Sequence, residues 1–139
     1  MTTQLLIYKT AVPLTRSRHG DCCVEAGTTY AFSSTVNSVP LMAVEFPQAA
    51  QEYAIVFTGA DAEIMPAVIL GVRGNENLYL TGEQGWGARY IPAFVRRYPF
   101  VFSRVEDRFV LCVDEEAPGV NRDGRGQALF DAEGKPTEY

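Results

Sequence analysis

The side chains best suited to nucleophilic or metal chemistry stand close together near the start of the chain: His19, Cys22 and Cys23. A thiol beside an imidazole base makes a workable nucleophile, provided the two side chains meet. Zinc needs about four ligands, usually in two spaced pairs. One histidine and two adjacent cysteines supply no such set, so no metal ligand and no catalytic residue is assigned. The spacing reads as a polar turn entering a strand, with one cysteine buried. A second cluster, Asp114-Glu115-Glu116, has the residue type for general acid/base work. Its position at a predicted strand end, ahead of Pro118-Gly119, reads instead as a solvated terminus. Asn121-Arg122-Asp123-Gly124 carries part of a calcium-loop pattern, but the other ligands and the closing Glu are missing, and turn chemistry accounts for it. Residues 82–87 are Gly-rich without the order of a phosphate loop. No cofactor is expected.

Recognition chemistry is denser further on. Trp86, Arg89, Tyr90, Arg96, Arg97 and Tyr98 fall in one short stretch. Trp, Tyr and Arg are the types enriched where protein interfaces concentrate their energy. A guanidinium can also take a carboxylate through a planar two-bond fork. These six residues are the candidate partner- or ligand-binding site, either as a helix packed on a sheet or as a helix whose polar side meets a protein partner. A pocket between the sheet and a helix over 89–99, serving a small molecule or an enzyme reaction, is the alternative.

Those residues need a scaffold. A chain of 139 residues suits one domain, and 47% hydrophobic with 21% charged residues is the balance of a globular protein rather than a disordered one. The net charge of −5 argues against a general nucleic-acid partner, which would call for a basic excess. Acids outnumber bases after Val105, and solvated faces account for that. Three cysteines make no disulfide framework; Cys112, inside Phe109-Val110-Leu111-Cys112-Val113, reads as a small buried hydrophobe. No basic region precedes the short apolar Leu5-Leu6-Ile7-Tyr8, so no signal peptide is read, and no apolar run approaches the roughly 20 residues of a transmembrane helix. A cytoplasmic location follows, with the cell surface by a non-classical route as the alternative. A homo-oligomer is compatible with all of this.

The pattern along the chain predicts a strand over 4–9 ended by Val12-Pro13, a turn over 16–21, and strands over 22–25 and 30–32. An extended segment to Glu45 and a short helix over 47–52 follow. Next come a strand over 53–57 and a long apolar run over 64–72, which Pro66 would confine to an edge or a bulge. Residues 68–72 and 78–80 read as a hairpin across the 74–77 turn. Ile91, Phe94, Val95 and Tyr98 recur at helical spacing, with Pro92 in the first turn and Pro99 at the end. Residues 100–103 and 109–114 are strands around the polar turn 104–107. The expectation is one α+β domain over 1–139, mostly antiparallel sheet with two short helices, with 115–139 read as a loose tail.

The same residues carry a resemblance. Asn37-Ser38-Val39-Pro40-Leu41, Val44-Glu45-Phe46-Pro47, Tyr53-Ala54-Ile55-Val56-Phe57, and above all Trp86 followed by Ala88-Arg89-Tyr90-Ile91-Pro92-Ala93-Phe94-Val95-Arg96-Arg97-Tyr98-Pro99-Phe100 resemble the bacterial SapC family. Leu111-Cys112-Val113-Asp114 and Leu129-Phe130 extend it over nearly the whole chain. SapC proteins usually continue further in a more helical portion, so this chain resembles the family's N-terminal part. The resemblance implies an association with bacterial surface-layer systems and a binding or assembly role. It supplies no catalytic residues to carry over.

Overall fold

The structure is a computed structural model and describes residues 6–27 and 29–139. The chain folds into two compact units, one from Met1–Gly27 with Tyr98–Tyr139 and one from Thr28–Arg97. As the alternating patterns predict, the architecture is β-dominated α+β, all antiparallel. It is divided among three small sheets rather than one.

The first unit holds two of them. β1 (Ala11–Pro13), β6 (Phe100–Val105) and β7 (Arg108–Asp114) form a sheet in the order β1-β7-β6. The hairpin expected around 104–107 is present and longer than predicted, because the connection shrinks to Glu106 and Asp107 and Val105 pairs with Arg108. The predicted strand over 4–9 is displaced. Residues 4 and 5 lie outside the described residues, 6–9 form no strand, and the strand is β1 itself, which keeps Pro13 at a sheet edge opposite Cys112. Residues 16–21, read as turn, contain one helical turn, α1 (Arg16–His19). β2 (Cys23–Val24), the first half-buried and the second buried, lies between β8 (Val120–Asn121) and β9 (Gln127–Ala128). Its core is Cys22, Val24 and Leu129, packed by Leu14, Phe100, Val120 and Phe130. Gly126, at φ +80°, brings the chain so close to the Val24 carbonyl that a Cβ would have no room. Among the described residues, the 115–139 segment thus carries two of the nine strands and two core residues, Ala117 and Leu129.

The second unit carries the sheet β3 (Ser38–Pro40), β4 (Ile55–Thr58) and β5 (Met65–Ile69), in the order β3-β5-β4. β5 is the central strand, against the edge expected from Pro66. The Pro66 carbonyl accepts from Leu41 N at 3.0 Å, so its missing N–H faces the end of β3, just past the Pro40–Ala67 pair. The ladder therefore loses nothing on the β4 side, where Pro66 opposes Phe57. Tyr30 to Phe32 is not a strand. Ser33 bonds back to the Tyr30 carbonyl through its hydroxyl (2.8 Å) and its N–H (2.9 Å), and Ala31–Ser33 winds into a 3-10 turn. The 68–72/78–80 hairpin is absent too: β5 stops at Ile69, and Leu80 bridges to Trp86 instead. α2 (Phe46–Ala49) and α3 (Ala93–Arg96) are single turns. α3 is far shorter than its apolar stripe suggested. Pro92 is extended at ψ 139° and so stands outside the helix. α3 buries Phe94 and Val95 and lies against β3.

Candidate functional site

Five of the six predicted site residues belong to the second unit; Tyr98 belongs to the first. What holds the five in place is a set of groups far from them along the chain. Glu52 accepts the backbone N–H of Arg89 (3.0 Å) and of Tyr90 (2.8 Å), and those bonds hold its carboxyl below the usual range. Glu45, 5% exposed, accepts Tyr90 Oη at 2.6 Å, Ala93 N at 2.8 Å and Met42 N at 2.8 Å. Hydrogen bonds to a charged acceptor are each worth roughly 1.5–3 kcal/mol. Two glutamates therefore fasten the 89–93 segment at both ends, where the sequence suggested only an apolar stripe.

Trp86 is a wedge. Its indole Nε1 donates to Tyr53 Oη at 2.7 Å, and Tyr53 Oη donates to the Tyr90 carbonyl. The indole stacks on Tyr79 (5.9 Å, 18°), which stacks on Tyr53 (4.5 Å, 30°), and meets Tyr30 edge-on at 5.6 Å. Each such pair adds about 0.5–1.5 kcal/mol beyond burial. Desolvation in this cluster pushes the Tyr53 hydroxyl up to about 12. The polar handle of the tryptophan is thus spent internally, and Trp86 is half-buried.

The arginines behave differently. The Arg89 side chain is 93% exposed, with its Nε 3.8 Å from Glu52. Arg96 donates from Nε to the Ile91 carbonyl at 2.8 Å and lies 5.6 Å over the Tyr90 ring. Arg97 sits 4.3 Å over the Phe94 ring. Arg96 and Arg97 are both exposed. A shallow cleft of about 220 Å³ adjoins Arg89, bounded by Gln48, Gln51, Glu52 and Tyr90. Tyr98, in the first unit, faces Tyr8 (ring centroids 5.5 Å) and places its hydroxyl 3.4 Å from Asp114 Oδ2; burial and that carboxylate push the hydroxyl up.

The first unit also reorganises the clusters that looked chemical. His19 is fully buried, with Nδ1 between Thr15 N (3.1 Å) and Thr15 O (3.2 Å), and Nε2 3.0 Å from Glu115 Oε1. Both ring nitrogens are committed. Cys22 is buried, and desolvation raises its thiol, which disfavours the thiolate. The three cysteines are free thiols. Among the described residues no group of three metal-binding side chains converges. Asp114, expected at a solvated strand end, is 0% exposed; it accepts Lys9 N (2.8 Å), Thr10 N (3.0 Å) and Glu116 N (3.1 Å). An unpaired buried N–H costs enough to draw a carboxylate inside. Asn121 is turn chemistry as expected, its Oδ1 accepting Asp123 N and Arg125 N at 3.1 Å each.

Among the described residues no helix is long and apolar enough to cross a membrane. Compared with known proteins, residues 14–139 match the family model described as SapC. Neither a curated protein nor a solved structure matches the chain.

Proposed function

The chain belongs to the SapC family, and we propose that it works as a non-enzymatic binding module whose second unit receives an acidic segment of a protein partner. The observation that carries this reading is the division of charge around residues 89–97. The neighbouring carboxylates, Glu45 and Glu52, accept backbone N–H groups, with Arg89 Nε 3.8 Å from Glu52, while Arg89, Arg96 and Arg97 are exposed. A cationic face thus stands on a protein of net charge −5. The segment bearing it is held at its ends before any partner arrives, which lowers the ordering cost of binding. The adjoining cleft of about 220 Å³ is smaller than the roughly 300–1,000 Å³ of small-molecule sites and suits one or two side chains of a protein. The engaged nitrogens of His19 and the raised thiol of Cys22 favour binding over catalysis. Assembly at the bacterial surface layer, implied by the family resemblance, is the setting this reading takes.

The test is co-purification from a bacterial lysate with the intact chain and with the triple variant Arg89→Glu, Arg96→Glu, Arg97→Glu. The variant loses the Arg96–Ile91 bond and two ring contacts, so it is expected to stay folded at a lower thermal midpoint and to lose an acidic partner. Capture by the intact chain should weaken steeply as salt rises. A folded variant that retains every partner would end this reading. Trp86→Ala is unsuitable, since the indole is part of the packing.

A further inference from the structure

A second cleft, of about 540 Å³, lies wholly in the first unit and is lined by Arg18, His19, Cys22, Glu115, Val120 and Arg122, with Asn121 beside them. Its volume falls in the range of roughly 300–1,000 Å³ typical of small-molecule sites. Arg18 gives one edge of its guanidinium to Glu115, Nε to Oε1 and Nη2 to Oε2, both at 2.6 Å. Glu115 is itself set by the buried His19 at 3.0 Å. His19 therefore positions Glu115, and Glu115 positions Arg18. The Nη1 side of Arg18 meets no acceptor among the described residues. Arg122 is drawn alongside, with Nη2 on the Arg18 carbonyl at 2.7 Å and Nη1 on Asp21. Its Nε likewise meets no acceptor among the described residues. Asn121 steadies the turn behind it through the Gly119 and Arg125 carbonyls, each at 3.0 Å. Two guanidiniums, each already held by a carboxylate, thus line one cleft whose remaining wall includes apolar Val120 and Cys22.

We propose that this cleft binds the carboxylate of a small organic acid with a short apolar body, the carboxylate between Arg18 and Arg122 and the body against Val120 and Cys22. A planar carboxylate matches the fork of a guanidinium edge. Glu115 and Asp21 balance the two cations, so donor geometry rather than a long-range field selects the ligand. Affinity for a minimal probe therefore falls in the millimolar range, within reach of a molecule of about six non-hydrogen atoms.

The test is a titration of the full chain with sodium butyrate at constant ionic strength, followed by NMR of the arginine Nε–H signals. Saturable shifts of Arg18 and Arg122 are expected. Butyramide, equal in shape but neutral, should bind at least about tenfold more weakly. Arg122→Gln should weaken butyrate by a similar factor while Arg104→Gln, outside both sites, leaves it unchanged. The butyramide arm uses the unaltered chain and decides the matter even if Arg122→Gln misfolds. Equal binding of butyramide, shifts spread without saturation over Arg104 as well, or tighter binding of inorganic phosphate would each overturn the assignment.

Discussion

Cations in the two units meet different partners. In the first unit Arg18 pairs with Glu115, Arg122 with Asp21 and Arg125 with Glu25. In the second, Arg96 and Arg97 lie over aromatic rings, and Arg89 stands 3.8 Å from Glu52. The buried carboxylates do not differ in this way: Asp114 serves backbone N–H groups in the first unit, as Glu45 does in the second. A paired guanidinium is fixed and half used, which suits a cleft for a small ligand. An exposed guanidinium over a ring, as at Arg96, suits a protein face. The same residue type thus points to two kinds of recognition, decided by where the nearest carboxylate is spent.

The sharpest way to break that comparison is to remove the two buried carboxylates. Asp114→Ala and Glu45→Ala each leave at least two backbone N–H groups without their acceptor, and each should cost about 3–4 kcal/mol in urea unfolding. A loss below about 1 kcal/mol at either site would show that the N–H groups find other acceptors. A smaller effect separates the aromatic wedge from the ionic unit. Tyr53→Phe removes the acceptor of Trp86 Nε1 and should cost about 1–2 kcal/mol at neutral pH. The folded-state pKa of Tyr53, about 12, lies above its ordinary 10.0. Its contribution is therefore complete below pH 10 and is lost as pH rises from there through about 12. Stability curves of the parent and Tyr53→Phe should converge over that window; parallel curves would remove Tyr53 from the alkaline loss.

The smallest effect is at Glu115. Arg18, then His19, hold its carboxyl below the ordinary range. That stabilisation is present above the unfolded carboxyl pKa and is lost as pH falls through the lower folded value. Glu115→Gln should flatten the acid limb of a stability titration while moving the neutral-pH midpoint little, as expected for a partly solvated pair. An unchanged acid limb would disconnect Glu115 from Arg18 in solution.

Much of the scaffold was legible along the chain. Phe100 to Ser103 and Phe109 to Asp114 read as strands because alternation and a polar turn are local signals, and β6 and β7 are those strands. The helix over 89–99 shrank to α3 because a stripe of apolar residues says which side is buried and not whether Pro92 is helical. Pro66 misled because its penalty depends on where the neighbouring strand ends, and β3 ends beside it. The arginines were visible by type and spacing, whereas Glu45, Glu52 and Tyr53, which hold their segment, carry no local mark.

Composition and periodicity by themselves determined an antiparallel, β-dominated chain, its last long hairpin and its cationic aromatic stretch. Only the tertiary structure decided that Asp114 turns inward to residues 105 and 104 positions away, and that Glu45 reaches Ala93 across 48. Hydrophobic alternation is written in neighbours. The acceptor for a buried N–H is chosen by whichever carboxylate the fold brings within about 3 Å, a distance that no local pattern encodes.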